Sequence, residues 1–345
     1  MQRFRNLFMY KSFYSIQFLR GGAALIVVFH HFMQFFYDFE RTNPVGNFFS
    51  DFGGWGVDVF FVISGFIMLF IATTKECSPS SFVWNRIIRV VPNYWFYTLI
   101  IVVLGLLIPI HATEATLTSI LKSLFFIPHE NPSSQLGIYP TLSVGWTLNY
   151  EMFFYSLVAI ALTFGVERLK LSLMFVSLFL ISLPLLEKIA HFGIYYKFHL
   201  IEFALGMFLY TFLTSRLCRF KYFLALGAVL VLLLFKHPSI DRLMIAFLIV
   251  LLALSLESFI SPKNIVSKVG FFLGDISYSI YLSHSIVLLI LFFFFGSYRY
   301  TDTSVFLVMF TLLLCLIFTL ALSMSTYKLI EMRLSKILKV RLVSQ

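Results

Sequence analysis

Runs of about 17–25 apolar residues recur along nearly the whole chain, each long enough to cross a hydrocarbon core of ~30 Å as a helix. Inside such a core every backbone N–H and C=O needs a partner within the protein, so only helices and closed barrels cross it. A barrel would show short segments of alternating polarity, whereas these runs are continuous. The expected fold class is therefore all-α, a polytopic transmembrane helical bundle. About ten spans are expected, near 15–37, 55–74, 92–110, 144–164, 171–188, 197–213, 221–235, 240–257, 270–295 and 303–327. With 60% hydrophobic and 12% charged residues, the chain has too little polar surface for a water-soluble domain. Residues 1–345 read as a single transmembrane domain.

Charge sets the expected orientation. With the N-terminus inside, 18 of the 26 Lys and Arg fall on cytoplasmic segments and 7 on the opposite side, with Arg20 inside the first span. By the positive-inside rule both termini are cytoplasmic. This bias accounts for the net charge of +10 without a nucleic-acid partner, and membrane lipid is the expected surrounding. The first run is interrupted by Arg20 and reads as a retained span, not a signal peptide. The longest connection, about 111–143, lies outside and contains Pro128, Pro132 and Pro140, which argue against one helix. Cys77, Cys218 and Cys315 have no metal or redox spacing and read as free thiols.

Ionisable residues inside spans are costly and mark candidate functional sites. Here they are Arg20, Asp58, Glu151, Glu202 and Asp275, with His30, His31, His199 and His284. Each one alone is as readily a polar contact between helices. As a set they sort by depth. Arg20 and His31 are eleven residues apart, so they share one helix face about 16 Å apart along the axis. His199 and Glu202, at i and i+3, also share a face. Asp58, Glu151, His199, Glu202, His31 and His284 fall toward the outer side; Arg20, Arg86, Arg89 and Asp275 fall toward the inner one. Guanidinium groups at a cytoplasmic mouth suit a phosphate-rich ligand, although Arg86 and Arg89 serve equally as positive-inside anchors. A histidine in a partly buried pocket suits a general base. His30 reads as a packing or hydrogen-bonding residue.

Several motifs resemble the acyltransferase-3 family of integral membrane proteins. "LRGGAALIVVFHH" (19–31) resembles its first-helix signature, with Arg20 and His31 at the matching spacing. "GVDVFFVISGFIM" (56–68), "RIIRVVPNYW" (86–95), "GWTLNYEMFFY" (145–155), "EFALGM" (202–207) and "GDISYSIYLSH" (274–284) resemble later signatures in the family's order. Gly22 departs from the branched residue or alanine common there. The wording of the fourth motif is similar to the branch that O-acetylates exopolysaccharides and O-antigens.

The resemblance implies about ten helices and an O-acyltransferase of the bacterial cytoplasmic (inner) membrane. It implies acetyl-CoA, or another acyl-CoA, as a cytoplasmic donor and a carbohydrate or lipid-linked glycan as an outer acceptor. No metal is expected. Arg20, Arg86 and Arg89 would bind coenzyme A phosphates, and His31 would be catalytic with Glu151 orienting or charging it. Asp58, Trp146, His199 and Glu202 would bind the acceptor. His284 reads equally as a structural hydrogen bond. Ser64 and Gly65 read as close helix packing more readily than as an acyl acceptor. The alternative function is a proton-coupled transporter or glycan-precursor flippase, and a non-catalytic scaffold is a further one. Oligomeric state, a homo-oligomer included, stays open.

Overall fold

A computed structural model describes residues 13–39, 44–74, 78–107, 115–133, 137–164, 199–235, 237–260, 264–296, 305–334 and 336–337. In chain order the helices are α1 (Tyr14–Tyr37), α2 (Pro44–Phe52), α3 (Trp55–Thr74), α4 (Pro79–Leu107), α5 (Leu117–Leu124) and α6 (Trp146–Thr163). There follow α7 (His199–Thr214), α8 (Lys221–Phe235), α9 (Pro238–Ser255), α10 (Ile265–Asp275), α11 (Ser277–Phe295) and α12 (Val305–Thr326), which continues as a π-helix over Tyr327–Leu334. Extended structure among the described residues is one isolated bridge, Glu130 to Ile138.

Seven described helical stretches are long and apolar enough to cross a membrane: α1, α3, α4, Arg216–Leu234, α9, α11 and Phe306–Leu334. The protein is thus a multi-pass helical membrane protein. The fourth and sixth expected spans are helical as α6 and α7; α7, with 16 residues, is the shorter. The fifth expected span, 171–188, lies outside the described residues, as does Cys77. Cys218 and Cys315 are free thiols.

Two expected spans need correction. The third begins at Pro79, not near residue 92, so Arg86 and Arg89 stand within α4 and Pro92 in its interior. Proline fits the first turn of a helix, where its missing N–H goes unused. The ninth, expected as one span over 270–295, breaks between α10 and α11 at Ile276. The local cause is lateral anchoring of α10. A Cβ on Gly274 would lie 2.2 Å from the Gln17 carbonyl oxygen. Next to it, the Asp275 carboxylate accepts a bond of 2.9 Å from Gln17 Nε2.

The chain forms two compact units that alternate along the sequence. The first comprises Met1–Ala23, Trp55–Phe82 and Phe153–Asp275. Its centre is the packing of α3 on α7. Cβ atoms built on Gly65 and Gly206 would each sit 2.0 Å from a carbonyl oxygen of the opposite helix, Phe203 and Val62 respectively. Only glycine permits this approach, the usual way membrane helices gain contact without a hydrophobic driving force between them. It accounts for Gly65 as a packing residue. Below the crossing, Thr73 and Tyr210 hydroxyls lie 2.6 Å apart, and Phe154 stacks on Phe203 with centroids 4.2 Å apart. The start of α1 is fixed by Glu257, whose carboxylate accepts the Tyr14 and Ser15 N–H groups at 2.8 and 2.7 Å. An acidic group there satisfies orphan donors and suits the positive end of the helix dipole.

The second unit comprises Ala24–Gly54, Val83–Met152 and Ile276–Gln345. Here α11 is the buried axis, with Ser279 through Leu289 all buried. Polar pairs tie its neighbours together. Asn93 Nδ2 donates to Ser279 at 2.9 Å and to Glu331 at 3.1 Å, and Ser279 also donates to Glu331. Tyr97 and Thr326 hydroxyls lie 2.8 Å apart, as do those of Ser283 and Ser323. The long connection is not one helix: α5, capped by the Thr116–Ser119 box, is followed by a folded loop. Tyr94 and Trp95 of α4 donate to the Ser123 and Leu124 carbonyls at 3.2 and 2.9 Å. Large apolar side chains such as Leu106, Leu234 and Phe306 are turned outward, as a lipid-facing surface requires.

Gly206→Val should therefore force α3 and α7 apart, lower the detergent-solubilised melting temperature by several degrees or prevent accumulation, and do so without touching any polar group. Gly227→Ala is the control, because a Cβ there meets nothing within 4 Å. Equal melting of both variants with wild type would contradict this packing.

Candidate active site

Three histidines meet within the second unit. His30 and His31 follow each other on α1, and His284 lies on α11. His284 Nε2 is 3.2 Å from His31 Nδ1, with the ring centroids 5.0 Å apart. His31 Nδ1 is also 3.1 Å from the Val27 carbonyl oxygen. His284 Nδ1 is 3.2 Å from the Ile280 carbonyl oxygen, one turn earlier. His284 is fully buried, while His31 is partly exposed. His30 sits edge-on to His31 with centroids 5.4 Å apart, and its Nδ1 lies 2.9 Å from the Phe49 carbonyl oxygen. Gly53 and Gly54 make room for it: a Cβ on Gly53 would lie 2.6 Å from His30 Cβ.

Glu151 and Trp146 stand near the start of α6, both half-buried. The hydrogen-bond partners of His31 among the described residues are Val27 and His284, and Glu151 is not one of them. The Tyr281 ring centroid is 5.8 Å from that of His284. The Tyr281 hydroxyl donates to the Val144 carbonyl at 2.8 Å and accepts from Thr147 at 3.1 Å. The Trp146 ring packs edge-on against Tyr150.

The first unit carries a separate cluster. Asp58 comes from α3, His199 and Glu202 from α7, and Arg242 from α9. Arg242 donates from both Nη2 and Nε to Asp58 Oδ2, at 2.7 and 3.1 Å. His199 Nδ1 lies 3.3 Å from Glu202 Oε2 and 3.7 Å from Asp58 Oδ1. Both carboxylates are 1% exposed, so their pairing with cationic or donor groups is obligatory. The donor atoms of Asp58, His199 and Glu202 lie within 4.8 Å of one another and could hold a cation. The Arg242 guanidinium already brings one positive charge to Asp58.

The arginines have these settings. Arg20 Nη1 donates to Gln17 Oε1 at 3.3 Å, and Gln17 in turn donates to Asp275. Arg86 and Arg89 are half-buried on α4. Seven and eleven residues on, Asn93 and Tyr97 fall within ~20° of the Arg86 direction. That stripe is the one hydrogen-bonded to Ser279, Glu331 and Thr326.

A partly exposed histidine beside a second imidazole fits acyl transfer, and comparison with known proteins decides the class. The profile of the family described as an acyltransferase domain, acyltransferase-3, matches residues 13–327. The chain belongs to the acyltransferase-3 family. It is an acyltransferase with a requirement for an acyl donor. It is also similar to the exopolysaccharide production protein ExoZ of Rhizobium meliloti (strain 1021), with 35% identity over 260 residues, 72% of this chain and 80% of the relative. No solved structure matches the chain.

Two partners in these clusters escape a reading of the sequence. Arg242 counts there only as one of the seven cations of the outer side, although its place near the start of the span expected over 240–257 is the available signal. His284 is legible as an intramembrane histidine, but 253 residues separate it from His31. Removing the guanidinium by Arg242→Ala should destabilise the protein by about 1.5–3 kcal/mol, the range for hydrogen bonds to charged groups. Asp58→Asn in that background should recover part of the loss, because the stranded charge is gone. Chemical unfolding of the two variants in detergent measures both, and a double variant less stable than Arg242→Ala would contradict the pairing.

Proposed function

We propose that the protein is an O-acyltransferase that moves an acyl group, acetyl in this reading, from acyl-CoA to a carbohydrate hydroxyl. The donor arrives from the cytoplasm, and the acceptor is a cell-surface glycan or its lipid-linked precursor outside. The protein sits in the bacterial cytoplasmic membrane with both termini inside, and residues 1–345 act as one domain. The similarity to a protein of exopolysaccharide production supports the choice of acceptor.

The observation that carries this reading is the partly exposed His31 imidazole held from behind by His284 and Val27. Its remaining nitrogen is free to take the proton of an acceptor hydroxyl. The hydroxyl oxygen then forms a bond to the thioester carbonyl carbon, and the carbon–sulfur bond breaks. The proton passes from His31 to the departing thiolate, so ester and free coenzyme A result. The thioester supplies the driving force, and the protein supplies position and a base.

Other roles are assigned residue by residue. Arg86 and Arg89 bind coenzyme A phosphates, since guanidinium stays charged and matches phosphate in a fork; Arg20 does the same from the start of α1. Glu151 is assigned to balance the positive charge that develops when His31 takes a proton. Trp146 offers a ring face to a sugar. Asp58, His199 and Glu202 offer carboxylate and imidazole edges to sugar hydroxyls.

Purified protein in lipid bilayers, supplied with radiolabelled acetyl-CoA and envelope glycan fractions, should move label to glycan. His31→Ala should lower that rate by at least about 10²-fold, the contribution of a positioned base, while melting like wild type. Transfer at the wild-type rate by His31→Ala would overturn the assignment.

A further inference from the structure

We infer that His284 is a positioning residue: it fixes His31 as the Nδ1–H tautomer and so leaves His31 Nε2 as the basic nitrogen. This rests on the reading of His31 as the base in the proposed transfer, and goes beyond it by assigning the proton to one atom.

Backbone carbonyl oxygens only accept hydrogen bonds. His284 Nδ1 lies 3.2 Å from the Ile280 carbonyl oxygen, so this nitrogen carries the hydrogen. A neutral imidazole has one N–H, and His284 Nε2 is therefore a bare acceptor. That acceptor points at His31 Nδ1 from 3.2 Å. His31 Nδ1 also faces the Val27 carbonyl oxygen at 3.1 Å. Two acceptors converge on it, so it is the protonated nitrogen of His31, and its hydrogen is shared between them. His31 Nε2 then has a lone pair and no proton.

Ring orientation supports the same assignment. Turning the His31 ring by 180° would place a carbon against both Val27 and His284 and lose both contacts. Turning the His284 ring would replace both of its nitrogens by carbons at Ile280 and His31. The rings are thus fixed by the hydrogen bonds, as ring orientation at such sites must be inferred from its network. Full burial of His284 in the α11 axis keeps its acceptor in place.

The pair also shares the charge of the step. When His31 Nε2 takes the hydroxyl proton, the imidazolium keeps its Nδ1–H directed at a bare nitrogen. That bond becomes charge-assisted and strengthens. His284 gains no proton and touches neither substrate, so it acts through His31 alone. The role matches that of the orienting group in a hydrolase triad, where loss of the right tautomer costs about 10⁴ in rate, with a neutral ring in place of a carboxylate.

The test uses the full-length protein in lipid bilayers with His284→Leu and His284→Gln. A glutamine amide oxygen can occupy the place of the imidazole Nε2; leucine offers no acceptor. The account expects His284→Leu to lower kcat by about 10²–10⁴, with KM for acetyl-CoA unchanged within twofold. It expects His284→Gln to restore at least tenfold of the loss. Solid-state NMR of protein carrying nitrogen-15 histidine reads the tautomer without turnover, the His31 signals being those lost in His31→Gln. Wild type and His284→Gln should show a protonated His31 Nδ1 and an unprotonated Nε2, and His284→Leu a mixture. A protonated Nε2 in wild type, or an unchanged His31 tautomer in His284→Leu, would overturn the inference. So would a His284→Gln variant as slow as His284→Leu with the wild-type tautomer intact. If wild type transfers no acyl group from any donor, the base assignment fails, and the spectra still decide the tautomer.

Discussion

Hydrocarbon offers a polar side chain no partner, so each interior polar group must be satisfied by another part of the chain. That constraint organises this protein. Asp58 is held by Arg242 and Glu202 lies against His199 in one unit. In the other, His31 faces His284, and Asn93, Ser279 and Glu331 close on one another. The groups that a membrane tolerates least are thus the groups with the most defined neighbours. The same definition makes them fit for chemistry, because a base acts only when its atoms are held in place.

These polar pairs do not hold the helices together unaided. Interhelical hydrogen bonds in membranes average only about 0.6 kcal/mol. The close approach of α3 and α7 at Gly65 and Gly206 supplies dispersion contact over a whole helix face. It also sets Asp58 of one helix against His199 and Glu202 of the other. In the same way Gly53 and Gly54 leave the space that His30 fills beside His31. Small residues therefore determine where the reactive ones stand, and a substitution at a glycine far from any ligand can disable the site through geometry.

Much of this was legible in the sequence wherever the information is local. Run length gives most of the helices, and the i, i+3 spacing places His199 and Glu202 together as observed. The eleven-residue spacing puts Arg20 and His31 on one continuous helix, which α1 is. Partners distant in sequence were not legible. No local pattern ties His284 to His31 or Arg242 to Asp58, since 253 and 184 residues intervene. The helix break at Ile276 is also hidden, because the groups that anchor Gly274 and Asp275 belong to Gln17, far away in sequence. Glu257 reads as a residue at the end of a span, while its role is to cap the start of α1.

In the proposed reaction an acyl group enters as a cytoplasmic thioester and leaves as an ester on the other side. Sealed inside-out vesicles test it most directly, with labelled acetyl-CoA added only outside, where it meets the cytoplasmic face, and acceptor glycan only in the lumen. The account predicts label on lumenal glycan while the vesicles stay sealed. Label that reaches glycan only after the vesicles are made permeable would contradict transfer across the membrane.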